Sequence, residues 1–381
     1  MGRIANLQGL IKRNQGIYVT NPINILYLTN FKDFDDKQDR VFINKDSVFL
    51  IFDTREKGQI PSIYKDINIV ITGSFKDDLE KIIKKEKNKE ILVESKNISL
   101  HEFDFFKDLQ ECILLGKAKI PPQGCTRLYT PGVGGTIKIK KTVDLIEKLR
   151  EIKDQEEVKN IKKACLLTDK TFEYVKKKIK VGLTEKETEY LIQDFIRRNG
   201  GDLSFDTIIA SGPNSANIHH KPADRKIKKG DPVMLDFGAK INYYMSDITR
   251  MLFIGEAKPF FKKIYSIVLK AQKLAIKDLK NGDRDSKRID AIARNVIDRE
   301  GYANNFSHSL GHSFGLEIHE NPRLNPKSED KLVQGNIVTV EPGIYIEGKG
   351  GIRIEDDILI KEKGVEILTK SPKELRNMVI K

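Results

Sequence analysis

The chain has 381 residues, enough for two domains that each bury a core. It is 39% hydrophobic and 32% charged, the balance of a soluble globular protein, and no apolar run approaches the roughly 18–20 residues needed to cross a bilayer. The net charge of +13 raises the question of nucleic acid. The lysines are spread along the chain and mixed with acids, as in Lys81-Ile-Ile-Lys-Lys-Glu-Lys-Asn-Lys-Glu, which describes a solvated surface and not a nucleic-acid footprint. Cys112, Cys125 and Cys165 are odd in number and form no Cys-X-X-Cys pair, which argues against a disulfide framework. With an N-terminus that lacks an apolar signal region, they point to the cytoplasm.

Residues 1–140 read as an α/β domain. The runs Asn24–Phe31, Val41–Ile43, Val48–Phe52, Ile69–Ile71 and Ile91–Glu94 have strand character, and the charged segment Asp77–Glu90 between them reads as a helix. Pro131-Gly-Val-Gly-Gly lacks the Gly-Lys-Ser/Thr ending of a phosphate loop and reads as a turn or linker. This half holds a single histidine, His101, and suits a structural or subunit-contact role.

A lysine-rich boundary between Thr136 and Asp154 opens the second domain, residues 141–381. Helices are predicted over Gln155–Val175, from the capping box Thr184-Glu-Lys-Glu to Gly200, over Phe260–Lys280 and over Ser286–Glu300. Two hairpins alternate with these helices, the α+β pattern.

Both hairpins carry acids in apolar strands. Val233–Gly238 and Asp247–Ile254 flank a polar turn, and a turn centred between Ile241 and Asn242 would set Asp236 opposite Asp247. Ile337–Ile346 and Gly351–Ile360 flank Gly348, which sets Glu341 opposite Glu355. Directly opposed like charges destabilise a sheet, so these four acids need a compensating cation. Two divalent ions would balance them if all four are ionised, with His312 adding a nitrogen ligand. Such a mostly oxygen donor set suits Mn²⁺ first, with Co²⁺, Fe²⁺ or Zn²⁺ as alternatives. Five of the six histidines fall beside these hairpins.

The motifs are ordered: Ser211-Gly-Pro-Asn-Ser-Ala-Asn-Ile-His-His, Leu235-Asp-Phe-Gly-Ala, Ser246-Asp-Ile-Thr-Arg, Gly311-His-Ser-Phe-Gly-Leu-Glu-Ile-His-Glu, Val340-Glu-Pro-Gly-Ile-Tyr and Gly351-Ile-Arg-Ile-Glu-Asp. The sequence resembles the Xaa-Pro peptidase branch of the "pita-bread" metallopeptidases of family M24, the group of aminopeptidase P and prolidase. Asn24–Phe31 and Phe52-Asp-Thr-Arg resemble the creatinase-like N-terminal domain of that branch, so the likeness covers nearly the whole chain.

The resemblance implies five metal ligands, Asp236, Asp247, His312, Glu341 and Glu355, with Asp247 and Glu355 bridging two divalent ions. It implies that His219, His308 and His319 contact substrate or stabilise the tetrahedral intermediate, and that Arg353 holds the ligand carboxylates. His219, and not the adjacent His220, has the family's separation of 17 residues from Asp236. The implied reaction is attack of a bridging hydroxide on the first peptide bond of a peptide with proline in second position, with Glu341 passing a proton to the leaving nitrogen. The enzyme so implied is an Xaa-Pro aminopeptidase, with an Xaa-Pro dipeptidase as the alternative, expected as a homodimer. A methionine aminopeptidase-like enzyme and a metal-free scaffold relative are the alternatives. One departure stands out: Ser313 replaces the second glycine of the usual Gly-His-Gly, read as tuning pocket shape.

Overall fold

The computed structural model describes residues 2–31, 39–53, 67–115 and 137–380. The chain forms two compact units that divide between Leu149 and Arg150. The first unit extends past residue 140 because Lys138–Thr142 is a strand of its sheet.

That sheet has six strands: β1 (Gln15–Val19), β2 (Arg40–Asn44), β3 (Val48–Asp53), β4 (Asn68–Thr72), β5 (Glu90–Glu94) and β6 (Lys138–Thr142), in the order β4-β3-β2-β1-β5-β6. Pairing is antiparallel within β1–β3 and parallel at β3–β4, β1–β5 and β5–β6. With the helices Phe75–Lys85 and Leu100–Leu115 this is the expected α/β unit. Four of the five predicted strands are present. The fifth run is a helix instead, Pro22–Thr29: the Asn21 side chain accepts from the amides of Ile23 and Asn24, Pro22 occupies the first turn, and Asn30 closes it at φ 55°. A continuous apolar run does not separate a buried strand from a buried helix, and the Asn-Pro cap decides it. The Pro131–Gly135 stretch and the Thr54-Arg55 part of the other N-terminal motif lie outside the described residues.

The second unit is α+β as expected. Helix Gln155–Lys178 opens on a reciprocal capping box between Asp154 and Glu157, and Glu185–Arg198 on one between Thr184 and Glu187. Pro259–Lys280 and Ser286–Arg299 follow. Short strands β7 (Asp202–Leu203), β8 (Ile208–Ser211), β9 (Pro232–Phe237), β10 (Ala239–Lys240) and β11 (Ile248–Ile254) precede those two helices. After them come β12 (Gly311–Ser313), β13 (Glu320–Leu324), β14 (Ile337–Val340), β15 (Gly343–Ile346), β16 (Gly350–Arg353), β17 (Asp356–Ile360), β18 (Val365–Ile367) and β19 (Val379–Ile380). They make one sheet of order β19-β11-β9-β8 and another of order β13-β12-β14-β17-β18, with β15-β16 a separate ribbon. One apolar cluster, including Met234, Leu252, Phe253, Val268, Val338 and Ile358, runs between the helices and these sheets. Among the described residues no helix is long and apolar enough to cross a membrane.

Candidate metal centre

The first hairpin does not have the expected register. Its turn is Ile241-Asn242-Tyr243-Tyr244, closed by paired backbone hydrogen bonds of 2.9 and 3.0 Å, with φ of 50° and 71° at the two central residues. Positive φ at both central positions is the I′ hairpin turn, whose twist matches that of the strands. The turn centre therefore lies one residue later than predicted, and Asp236 faces Thr249, not Asp247. Asp247 sits just before β11. Close approach there depends on Gly238, where a Cβ would lie 1.8 Å from the Ser246 carbonyl oxygen.

The second hairpin keeps the expected register, from Ile337 opposite Leu359 to Ile346 opposite Gly350. Its ladder breaks at the acids. Pro342 follows Glu341 and has no amide hydrogen to donate. Both acids instead bond outward through the backbone: Glu341 N donates to Leu310 O at 2.8 Å, and Glu355 N to Thr249 O at 3.2 Å. Glu341 and Glu355 thus face across a gap between two sheets, where their side chains are free to turn toward the first hairpin.

His312 enters from β12. A Cβ at Gly311 would lie 2.0 Å from the Thr339 carbonyl oxygen, so glycine lets β12 close onto β14. The Thr339 hydroxyl accepts from His312 N at 3.1 Å and donates to Glu341 at 3.2 Å. His312 Nδ1 faces the Ser313 carbonyl at 3.2 Å, which assigns the ring proton to Nδ1. The Nε2 lone pair is then directed at Glu341 Oε1, 3.4 Å away, and Asp247 Oδ2, 3.8 Å away.

On their own, these acids resist ionisation. Burial and then mutual repulsion push Asp247 and Glu355 well above the usual carboxylate range. Burial also raises Asp236, though Arg353 opposes it, and Glu341 is pushed up to about 8. Burial depresses His312 to about 3, leaving it neutral and able to ligate. Asp247 Oδ1 and Glu355 Oε1 are buried without a hydrogen-bond partner. Ligand atoms of Asp247, His312 and Glu355 lie within 4.8 Å of one another. Buried carboxylate oxygens are expensive to leave unpaired, and the donor chemistry fits a divalent cation.

Arg353, 2% exposed, ties the two hairpins together. Its guanidinium bonds Asp236, Thr249 Oγ1 at 3.0 Å and Tyr345 Oη at 2.8 Å. Thr249 Oγ1 in turn donates to Glu355 at 2.7 Å. Tyr345 Oη also lies 2.9 Å from His308 Nε2, while His308 Nδ1 meets the Ser309 carbonyl at 2.7 Å. Both nitrogens of His308 are therefore engaged within the protein, and burial depresses its pKa to about 3. His219 and His319 are exposed by contrast, and the His319 ring stands 4.5 Å from that of His312, edge to face.

All nine residues singled out from the sequence line one cavity of about 390 Å³, together with Phe205, Ile208, Ile218, Ile318 and Arg323. The model for metallopeptidase family M24 matches residues 159–362, and that for the creatinase/prolidase N-terminal domain matches residues 3–118. The chain belongs to metallopeptidase family M24. Its structure is similar to an Xaa-Pro dipeptidase from Bacillus anthracis, with TM-score 0.87, 34% identity, and coverage of 100% of this chain and 99% of that one. It is also similar to an X-Pro aminopeptidase from Thermotoga maritima, with TM-score 0.81, 32% identity and coverage of 98% and 99%. An Xaa-Pro dipeptidase of Pyrococcus horikoshii is 40% identical over 291 residues, 75% of this chain and 82% of the relative. The M24 catalytic domain with a creatinase-type N-terminal domain is the fold that the sequence motifs implied.

Several residues of this M24 site receive no role from the sequence alone, although Thr249 and Tyr345 lie inside its motifs. Thr249, Thr339 and Tyr345 look like ordinary strand formers, and only their contacts reveal that they hold the acids. Arg323 lies on β13 opposite His312 and its charge further depresses protonation of His312 and His319. His220 bonds Glu185 at 2.7 Å, beside the loop that carries His219, and does not line the cavity. Ser313 does not line it either, so it does not shape the pocket as expected; its hydroxyl meets buried Lys153 at 2.9 Å.

Proposed function

We propose that the chain is a divalent-metal-dependent dipeptidase that cleaves the bond between an N-terminal residue and a following proline. The observation that carries the metal-dependent reading is the convergence of Asp236, Asp247, His312, Glu341 and Glu355, with buried oxygens of Asp247 and Glu355 left unpartnered. These five residues would hold the divalent ions, Mn²⁺ by donor type, with Asp247, His312 and Glu355 near enough to one another to ligate together. Bound ions supply a water acidified to a nucleophile at neutral pH and a Lewis acid for the scissile carbonyl.

The protein's own groups supply the rest. His319 and His219, exposed to the cavity, face the substrate and stabilise charge that develops on the carbonyl oxygen. Glu341 takes the proton that the attacking water gives up and passes it to the proline nitrogen, which has no hydrogen of its own in the peptide, as the C–N bond breaks. His308 acts through Tyr345, holding the phenol that holds Arg353 against Asp236. The similarity to Xaa-Pro dipeptidases of Pyrococcus horikoshii and Bacillus anthracis supports the Xaa-Pro specificity.

Arg323 favours the dipeptidase over the aminopeptidase. Among the described residues it is the cavity-lining arginine that no ligand acid engages, and it can pair with the C-terminal carboxylate that a dipeptide carries on its proline. The test compares metal-loaded protein on an Xaa-Pro dipeptide, its C-terminal amide and an Xaa-Pro-Yaa-Yaa peptide. The dipeptide should exceed the amide in kcat/KM by roughly tenfold or more, since a charge-assisted hydrogen bond contributes about 1.5–3 kcal/mol. Arg323→Gln should erase that gap. A preference for the tetrapeptide would make the enzyme an aminopeptidase, and no release from any of the three would end the peptidase reading.

A further inference from the structure

Ser313 and Lys153 form a buried contact that the mechanism above does not use. The Lys153 side chain is 1% exposed, and its Nζ lies 2.9 Å from Ser313 Oγ and 3.1 Å from Glu320 Oε2. A buried ammonium needs such partners to offset the loss of water. Its backbone is held independently: Lys153 N donates to Gly335 O at 2.9 Å, and Asn336 Nδ2 to Glu151 O, two residues earlier, at 2.9 Å. The ammonium is thus held by Ser313 and Glu320 from a backbone that is itself tied down.

Both of its partners bear on the centre. Ser313 follows His312 at a β-bulge, where the register between β12 and β13 shifts. A bulge leaves the local backbone less constrained by the neighbouring strand than a regular ladder does. Yet the carbonyl of Ser313 is the group that meets His312 Nδ1 and so directs Nε2 at the acids. Glu320 accepts from the amides of Leu316 and Glu317, both at 3.1 Å, and from Arg150 Nη2 at 2.6 Å. That holds the turn leading to His319.

The geometry points to Lys153 as a positioning residue for the metal centre, fixing through Ser313 the carbonyl that orients His312 and through Glu320 the turn that carries His319. This rests on the reading of His312 as a metal ligand. A hydroxyl at position 313, where a glycine would offer none, is what gives the ammonium its hold on the bulge.

The test uses Ser313→Ala, Lys153→Met, the double variant and Lys153→Arg in the full chain. Chelator-stripped protein is titrated with Co²⁺ by calorimetry, its visible cobalt band is recorded, and its Tm is measured without metal. Ser313→Ala and Lys153→Met should each weaken Co²⁺ binding by roughly tenfold, as loss of a group that orients a ligand does. Each should also shift the cobalt band and lower kcat more than it changes KM. The double variant should be no worse than the poorer single one, because the two act as a unit. Lys153→Arg should recover part of the affinity. Unchanged Co²⁺ affinity and an unchanged band in both single variants would overturn the assignment, even if Tm fell. Should Lys153→Met not fold, Ser313→Ala decides. If wild-type protein binds no Co²⁺, the reading of the centre fails and this inference with it; if wild type binds and hydrolyses while the variants match it, only this inference falls.

Discussion

The two hairpins solve one problem in opposite ways. The first keeps its ladder intact: β9 and β11 pair through six registered positions, Asp236 faces Thr249, and Asp247 waits beyond the strand end. The second keeps its register but gives up its ladder where Glu341 and Glu355 meet. In neither are two acids opposed within a paired stretch, where repulsion would be strongest. Each hairpin also holds the other's acids. Thr249 of the first bonds Glu355 of the second, and Arg353 of the second bonds Asp236 of the first. The centre is a product of that crossing and belongs to neither hairpin alone.

The harshest way to break this arrangement is to remove an acid with an unpartnered oxygen. Asp247→Asn should lower turnover well beyond the roughly 100-fold typical of losing a group that only supports a ligand. Removing one of four repelling acids should leave the Tm of metal-stripped protein equal or higher. Steady-state kinetics with added Mn²⁺ and a melt in chelator check both. Retained turnover would take Asp247 out of the ligand set.

A milder break cuts the tie between hairpins and leaves every acid in place. Thr249→Val is nearly isosteric but deprives Glu355 of its 2.7 Å donor and Arg353 of its acceptor. Metal affinity should fall by roughly 10-fold. Stability should fall by about 1–3 kcal/mol from the groups left unsatisfied. Calorimetric metal titration and denaturant unfolding read the two effects separately.

The crossing explains why the sequence revealed the centre's chemistry better than its geometry. The five candidate ligands were legible because acids and a histidine set in apolar strands are costly unless something compensates them. The second register was legible because Gly348 marks its turn. The first was not, because Asn242-Tyr243 lacks the glycine that usually announces a I′ turn, and the strand pattern alone fits either centre. Helix Pro22–Thr29 was hidden by its uniform apolar run. Thr249 and Tyr345 lie inside the motifs and Thr339 just before one, yet their roles stayed hidden for a deeper reason: each is favoured in any strand, and its role exists only once two distant hairpins cross.

Titration sharpens the contrast between acids and histidines. Glu341 has a folded pKa near 8, above its unfolded value, so the stability it contributes is present at low pH and is lost as pH rises toward 8. Asp247 and Glu355 share that direction. His308 and His312, depressed to about 3, act oppositely: they bind protons only in the unfolded chain below about 6.5, so their contribution grows as pH rises to that point. Between pH 6.5 and 8 the acids act unopposed. Metal-stripped protein should therefore lose Tm across that interval, and saturating Mn²⁺ should abolish the slope. A flat profile in chelator would mean that burial, with repulsion added, does not hold these acids protonated in that interval.

The smallest effect concerns the turn that displaces Asp247 from opposite Asp236. Tyr243 holds φ of 71°, a conformation that costs a residue with a Cβ roughly 1–2 kcal/mol. Glycine adopts it freely, at the price of greater freedom in the unfolded chain. Tyr243→Gly should thus gain about half a kcal/mol in denaturant unfolding, with kcat and metal affinity unchanged, because the register is already that of the I′ turn. A variant that shifts the register by two residues would instead place Asp247 opposite Asp236, and activity would fall with it. An unchanged kcat separates the two outcomes: it would mean that the turn fixes the register as found, and that Asp247 reaches the centre because it lies beyond the end of its strand.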